Sequence, residues 1–472
     1  MSFKIKINQK QTILFFILFL IAFLPRIYRL EENFAWDQEQ GVAFWTIKKI
    51  VVEKKLPLIG QHFLNQEAPV FRPPFFAYFA AIPLFLTKNN PLSLEFCLSL
   101  FGALSAILIF WITRKLFNQK AAFFSFLGYS FSSTVIGTDK NLVPPTMLIL
   151  TFAILLPFFL NALSRSDNNK DFLIIGFLVG LMFSFHFSAI IVLLSIFSLF
   201  LIFKKEFKLN LKKILIFLFS IFIMISPVLF FNARHGFPMI EGFKKIIFGE
   251  SFDLPINPLT RLNLALSALN TLNLSLSSIN LNIYPAFFSL ILWVLPAIFI
   301  VKLKKTNPQK AFFLLLLALL FLSSFFLYLV GNPYYQMTHY LLFLIPPFFI
   351  VWGKILELIF NTSFGKPALL SIFIIFIHHN GQNILNSTKN TYSQKLEVVN
   401  EILSQSSPAK VTSVKFIDED YTPYDFLVYF RAPSYGLKYE NINLLQAWMD
   451  IPPDFVVKRG EKGHPILKKI KQ

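Results

Sequence analysis

Ala35-Trp36-Asp37-Gln38-Glu39-Gln40-Gly41, followed by Ile47-Lys48-Lys49-Ile50-Val51-Val52-Glu53-Lys54-Lys55, Leu58-Ile59-Gly60-Gln61-His62 and Phe71-Arg72-Pro73-Pro74, forms a polar stretch wedged between apolar segments. Asp37 and Glu39 come just past the first apolar run, where a helix leaving a bilayer meets water. Ionisable groups in that position are functional candidates by default. Working outward, the rest of the chain is greasy: 472 residues are 55% hydrophobic and only 15% charged, with a mean hydropathy of +0.60. Soluble domains carry about a quarter charged residues, so the composition is that of a polytopic membrane protein.

The excess of 44 Lys and Arg over 25 Asp and Glu does not signal nucleic acid, because the basic residues fall in short clusters between apolar runs, the pattern of cytoplasmic loops. A single cysteine, Cys97, excludes an intrachain disulfide and a cysteine metal cluster. No Gly-rich phosphate loop of the Walker type is present, and the inner loops are too short for a nucleotide-binding domain. The sequence calls for no cofactor, and it does not support a divalent metal.

Lys4, Lys6 and Lys10 precede the apolar run Ile13 to Leu24 with no small-residue cleavage site after it, which reads as a retained first span with the N-terminus inside. Residues 28–74 then form an outer loop, whose Val42, Phe44, Trp45, Ile47, Ile50, Val51 and Leu56 interleave with lysines as in a surface-lying helix. Phe75 to Leu86 is shorter than the ~20 residues of a full span and is expected to be interfacial or re-entrant. Leu92 to Thr113 spans, delivering Arg114, Lys115 and Lys120 inside; Ala121 to Ile136 returns, and Leu142 to Leu160 crosses again. Phe172 to Phe203 is too long for one helix and should hinge at Ser184-Phe185-His186-Phe187-Ser188, where His186 has a structural role. Further spans are expected at Leu215 to Phe231, Phe287 to Val301, Phe312 to Val330, Leu341 to Trp352 and Leu369 to Ile377. The expected total is about eleven spans, with the remaining outer loops at 137–141, 232–284 and 331–339. Past about residue 380 the composition changes: Val411 to Phe416 reads as a strand and Thr422 to Phe430 as a helix. This divides the chain into a membrane domain, 1–380, and a small α/β extracytoplasmic domain, 381–472.

Four local patterns in this order resemble the GT-C membrane glycosyltransferases, in the branch of the protein O-mannosyltransferases and the lipid A aminoarabinose transferase. They are the acidic Trp36-Asp37-Gln38-Glu39 after the first span; Arg72-Pro73-Pro74-Phe75-Phe76-Ala77-Tyr78, a basic residue and two prolines opening a short aromatic helix; Gly137-Thr138-Asp139-Lys140-Asn141-Leu142-Val143-Pro144-Pro145, an outer turn before an inward span; and His339-Tyr340 ahead of Pro346-Pro347. The resemblance covers about residues 10 to 360, by motifs that are each short. It implies an all-α GT-C fold and transfer of a sugar from a polyprenyl-phosphate carrier to a hydroxyl of a lipid, glycan or protein acceptor on the outer face, with inversion. By the same resemblance Asp37 is the general base, with Glu39 as the neighbouring acid, and Arg72 contacts the carrier phosphate. Two departures stand out. Gln38 follows Asp37 where the family often has a second acid, and Val143 lies two residues before Pro145 where relatives commonly carry an aspartate, Asp139 being at a different spacing.

Chemically, such a displacement needs a base for the acceptor proton, a contribution of roughly 10²- to 10⁴-fold, and cations for the departing phosphate. Arg234, His235 and His339 are further outer-face donors for that phosphate, and Trp36, Asp139, Lys140 and Tyr340 are candidate substrate contacts. Two other classes compete. A secondary transporter or lipid-linked-glycan flippase would place charges at the midplane on broken helices and show repeats, whereas here ionisable groups collect on one face. A non-catalytic scaffold presenting the C-terminal domain leaves Asp37 and Arg72 unexplained.

Overall fold

The apolar runs fold as helices because a backbone in hydrocarbon has no water to satisfy its N–H and C=O groups. The computed structural model describes residues 9–61, 69–164, 168–248, 260, 262, 265–267, 306–330, 338–386, 392–417, 420–446, 449, 451–459 and 465–470. In chain order its helices are α1 (Gln9–Ile27), α2 (Leu30–Asn33), α3 (Gln38–Val51), α4 (Phe75–Leu86), α5 (Leu92–Leu116), α6 (Gln119–Phe131), α7 (Ser133–Lys140), α8 (Met147–Ser164), α9 (Asn169–Phe185), α10 (Ala189–Ile202), α11 (Leu211–Arg234) and α12 (Pro238–Phe248). After these come α13 (Pro308–Val330), α14 (Ile345–Phe360), α15 (Gly365–Leu385), α16 (Tyr392–Ser404) and α17 (Thr422–Arg431). Among the described residues, seven helices are long and apolar enough to cross a membrane: α1, α5, Pro144–Ser164 (α8 with the 3-10 turn before it), α11, α13, Leu341–Phe360 (α14 with its own leading turn) and α15. The expected span Phe287 to Val301 lies outside the described residues.

Two long apolar segments are broken, for different reasons. Ala121 to Ile136 is not one helix: Ser132 turns extended between α6 and α7, and its hydroxyl accepts the Val135 N–H at 3.5 Å. Phe172 to Phe203 breaks where expected. His186 ends α9 in an extended conformation, and its Nδ1 accepts the Ser188 N–H at 3.0 Å, which makes it a cap and gives it a structural role.

The α9 and α11 backbones run close together because Gly176 and Gly180 sit four apart on the facing side. A Cβ on Gly176 would overlap the Phe217 carbonyl, and one on Gly180 would lie 2.8 Å from Met224 Cβ. This is the small-xxx-small device of membrane helices, where approach replaces a hydrophobic driving force. The outward faces stay apolar, as lipid contact demands: Phe219, Phe222 and Phe230 on α11, and Leu370, Ile374 and Ile375 on α15, are exposed.

The C-terminal part carries a four-stranded sheet, β1 (Thr412–Ile417), β2 (Ile442–Leu445), β3 (Phe455–Arg459) and β4 (Pro465–Lys469), in the order β2-β1-β3-β4. β1 runs parallel to β2 and β3, and β4 is antiparallel to β3. This unit is joined to the membrane part through α3. Phe34, Trp36 and Phe44 pack their rings, tilted or edge-on, against Tyr392 and Phe426, the Trp36 indole donates to the Pro423 carbonyl at 2.6 Å, and Lys395 Nζ donates to the Trp36 carbonyl at 2.5 Å.

Candidate active site

Asp37 is the N-cap of α3, an extended residue whose carboxylate accepts the Glu39 N–H at 3.2 Å. Gln40 returns the bond, its side-chain oxygen accepting the Asp37 N–H at 3.0 Å, which closes a capping box. The buried Gln40 amide then donates to Asn141 Oδ1 at 2.7 Å, tying the start of α3 to the segment after α7. Asp37 and Glu39 themselves stay on the open face. Burial of part of Glu39, and then the neighbouring Asp37 charge, raise its carboxyl above the ordinary value, while Arg72 pulls it back. Arg72 is therefore within electrostatic reach of Glu39.

Arg72 is held from both sides. Its backbone pairs with the chain at 60–61, Gly60 donating to the Arg72 carbonyl at 2.6 Å and Arg72 donating to the Gln61 carbonyl at 3.2 Å. Its guanidinium donates to the Phe185 carbonyl at 3.3 Å, the last residue of α9, where unpaired carbonyls and the helix dipole favour a cation. Pro73 and Pro74 follow and start α4, Pro74 serving as its N-cap. Between α3, α4, the 60–61 segment and the end of α9 lies a small cleft, whose wall includes Thr46, Gln61, Arg72, Pro144 and Ser184.

The other residues singled out in the sequence divide sharply. Asp139 is not on the open face; it is buried and paired with Arg26, whose Nε and Nη2 reach Asp139 Oδ2 at 2.9 and 2.8 Å. Tyr129 adds its hydroxyl to Asp139 Oδ1 at 3.4 Å. Lys140 is buried as well, donating to the Tyr28 carbonyl at 3.2 Å. Trp36 is fully buried in the joint with the C-terminal unit. Arg234 and His235 end α11 on the exposed side; His235 stacks on Phe231 with centroids 4.2 Å apart and bonds its carbonyl at 2.8 Å. Phe231 packs against Phe71 at 5.4 Å, so this helix end lies near Arg72, but neither Arg234 nor His235 forms the cleft wall. His339 and Tyr340 lie in the 3-10 turn Thr338–Leu344, and their side chains lie outside the described residues.

The structure also brings in residues that sequence reading passed over. Arg26 ends the first span, Gln40 and Asn141 lock two loops together, and Glu95 lies fully buried at the start of α5. Glu95 had a signal, an acid inside an apolar run. Arg26 had one too, being the basic residue at the end of the first apolar run. Gly102 has none: a Cβ there would overlap the Asp139 carboxylate and come within 2.6 Å of Arg26 Nε, so a glycine is what lets the ion pair close over α5. Among the described residues no cluster of three or more His, Cys, Asp or Glu is placed to hold a metal.

Comparison with known proteins adds two findings. Residues 71–231 match the model of the dolichyl-phosphate-mannose-protein mannosyltransferase family, about a third of the chain, a segment that contains Arg72, Asp139 and Lys140 but not Asp37. No curated protein matches the chain by sequence. In three dimensions it is similar to ArnT from Cupriavidus metallidurans bound to undecaprenyl phosphate, with a TM-score of 0.59 at 10% identity, covering 97% of this chain and 94% of that one. The apo form of ArnT gives 0.57 at 11% identity, over 96% and 93%. The Archaeoglobus fulgidus oligosaccharyltransferase in complex with Zn and sulfate gives 0.52 at 13%, over 94% of this chain and 68% of that one. With its apolar spanning helices, its matched segment and this shared architecture, the chain is a multi-pass integral membrane protein of the GT-C glycosyltransferase fold.

Proposed function

We propose that the chain is a membrane glycosyltransferase that takes a sugar from a polyprenyl-phosphate carrier at the extracytoplasmic face and passes it to an acceptor hydroxyl with inversion, Asp37 acting as general base. The observation that carries this reading is the open acidic pair at the start of α3, with the cleft-wall residue Arg72 in electrostatic reach of Glu39, in a chain folded like a protein that binds undecaprenyl phosphate. In the reaction the acceptor oxygen bonds to the anomeric carbon as the bond from that carbon to the phosphate oxygen breaks. The acceptor proton passes to Asp37, and the electron pair leaves on the phosphate, where Arg72 meets the growing charge. Glu39, whose carboxyl holds its proton to higher pH than an ordinary glutamate, suits a hydrogen bond donated to a sugar or phosphate oxygen.

In this reading the N-terminus is cytoplasmic. Arg114, Lys115, Lys120 and the basic run from Lys204 to Lys213 share that side, while Asp37, the cleft and a C-terminal domain from about residue 381 face outward. The acceptor is a lipid, a glycan or a protein. The test is sugar transfer in membranes from a mixture of labelled lipid-linked sugars, comparing wild type with Asp37→Asn at matched expression. A fall of at least about a hundredfold is expected. Equal transfer would remove Asp37 as the base, and no transfer from any donor while lipid-linked glycan crosses the bilayer would make the chain a flippase.

A further inference from the structure

Four serines buried in these helices share one habit. Ser125, Ser195, Ser220 and Ser324 each donate to the carbonyl four residues earlier, at 2.9, 2.8, 2.8 and 2.6 Å. That back-bond is how a serine in hydrocarbon avoids leaving a polar group unpaired. Ser184, in the last turn of α9, departs from it. Its side chain is buried and its Oγ has no hydrogen-bond partner, although the carbonyl of Gly180 stands four residues back. Ser130 shares that lack, but Ser184 also forms part of the cleft wall, one residue before the carbonyl that holds Arg72. Thr46, on the opposite wall, has its hydroxyl committed to the Val42 carbonyl at 3.3 Å. A buried hydroxyl left unpaired costs free energy, and here it belongs to a residue of the cleft wall that Arg72 also forms.

We propose that Ser184 is a ligand-binding residue of the cleft, its hydroxyl donating to a phosphate oxygen of the lipid carrier next to the Arg72 guanidinium. This rests on the glycosyltransferase reading for the identity of the ligand. Two donors of different kind, one charged and fixed to a helix end, one a neutral hydroxyl, hold a tetrahedral phosphate in a defined orientation. A hydrogen bond to a charged oxygen is worth about tenfold in binding.

The experiment compares wild type, Ser184→Ala and Ser184→Thr in detergent, reading the KM for the lipid-linked donor, the KM for the acceptor, and the inhibition constant of undecaprenyl phosphate. Expected for Ser184→Ala is about a tenfold rise in the donor KM and in the inhibition constant, an unchanged acceptor KM, and recovery of most of the loss in Ser184→Thr, which keeps the hydroxyl. Unchanged donor constants in Ser184→Ala would overturn the proposal. So would equal weakening of donor and acceptor, or a Ser184→Thr protein no better than Ser184→Ala, since both describe a packing role. Direct binding of undecaprenyl phosphate to wild type and Ser184→Ala, followed by thermal shift, separates the two levels. A wild type that binds this lipid through Ser184 but transfers no sugar would sink the function and leave the site standing.

Discussion

Removing Asp139 should unfold this protein more readily than it should alter its chemistry. The carboxylate is 2% exposed and Arg26 is 0% exposed, and the guanidinium reaches Oδ2 through two nitrogens at 2.8 and 2.9 Å. Arg26 Nη1 also donates to the Ala22 carbonyl at 2.6 Å, and its guanidinium carbon lies 5.3 Å from the Tyr129 ring centroid. Asp139→Ala would leave this cation buried with carbonyls and a ring face but no counter-charge. Breaking a buried pair by deleting one partner costs about 3–5 kcal/mol, whereas replacing both by apolar groups of similar volume is often close to neutral. Asp139→Ala and Arg26→Met should therefore each destabilise by about that amount, and Arg26→Met with Asp139→Leu by much less than the sum, a coupling of about 2 kcal/mol or more. The assay is equilibrium unfolding in mixed micelles, with the donor KM measured on the same preparations. The single half-buried thiol, Cys97 on α5, reports opening of this region by its rate of labelling. A cost below about 1 kcal/mol for Asp139→Ala, with a selective rise in the donor KM, would refute the structural assignment and return Asp139 to the substrate site.

The joint with the C-terminal unit gives a second test. Trp36→Phe leaves the Pro423 carbonyl without the indole N–H that meets it at 2.6 Å, so a loss of about 1–3 kcal/mol and faster proteolytic release of the C-terminal fragment are expected, with the donor KM unchanged. A raised KM with unchanged proteolysis would instead place Trp36 at the substrate. A third concerns pH. The Asp454 carboxylate accepts the Ser413 N–H at 2.8 Å and the Lys410 ammonium at 3.0 Å, and these hold its carboxyl below the ordinary 3.8. A depressed native value contributes stability that is complete above the unfolded value and is lost as pH falls through the native one. Thermal scans of wild type against Asp454→Asn should show a gap at pH 6 that starts to narrow near about pH 4 and closes only as pH passes below the native value; a gap constant with pH would rule out this linkage.

What the sequence determined by itself is whatever depends on neighbours along the chain. Apolar length and the position of prolines and serines set the helices, so Phe75 to Leu86 is read with the bounds it has, the break at His186 is legible, and the alternation from Val411 and the proline at Pro423 announce β1 and α17. The membrane class follows from composition, because no soluble core absorbs that much apolar surface. Only the tertiary structure decided the fates of the polar residues. Asp37 and Asp139 both stand where an apolar run gives way to a polar segment, and hydropathy does not distinguish them. One is open because α3 starts there; the other is buried because Arg26, 113 residues earlier, is brought against it across Gly102. Trp36, adjacent to Asp37, turns inward because α17 supplies a carbonyl 387 residues away. Hydropathy is a local quantity, whereas pairing a charge or an indole depends on which helices pack together, and that is written in long-range shape complementarity.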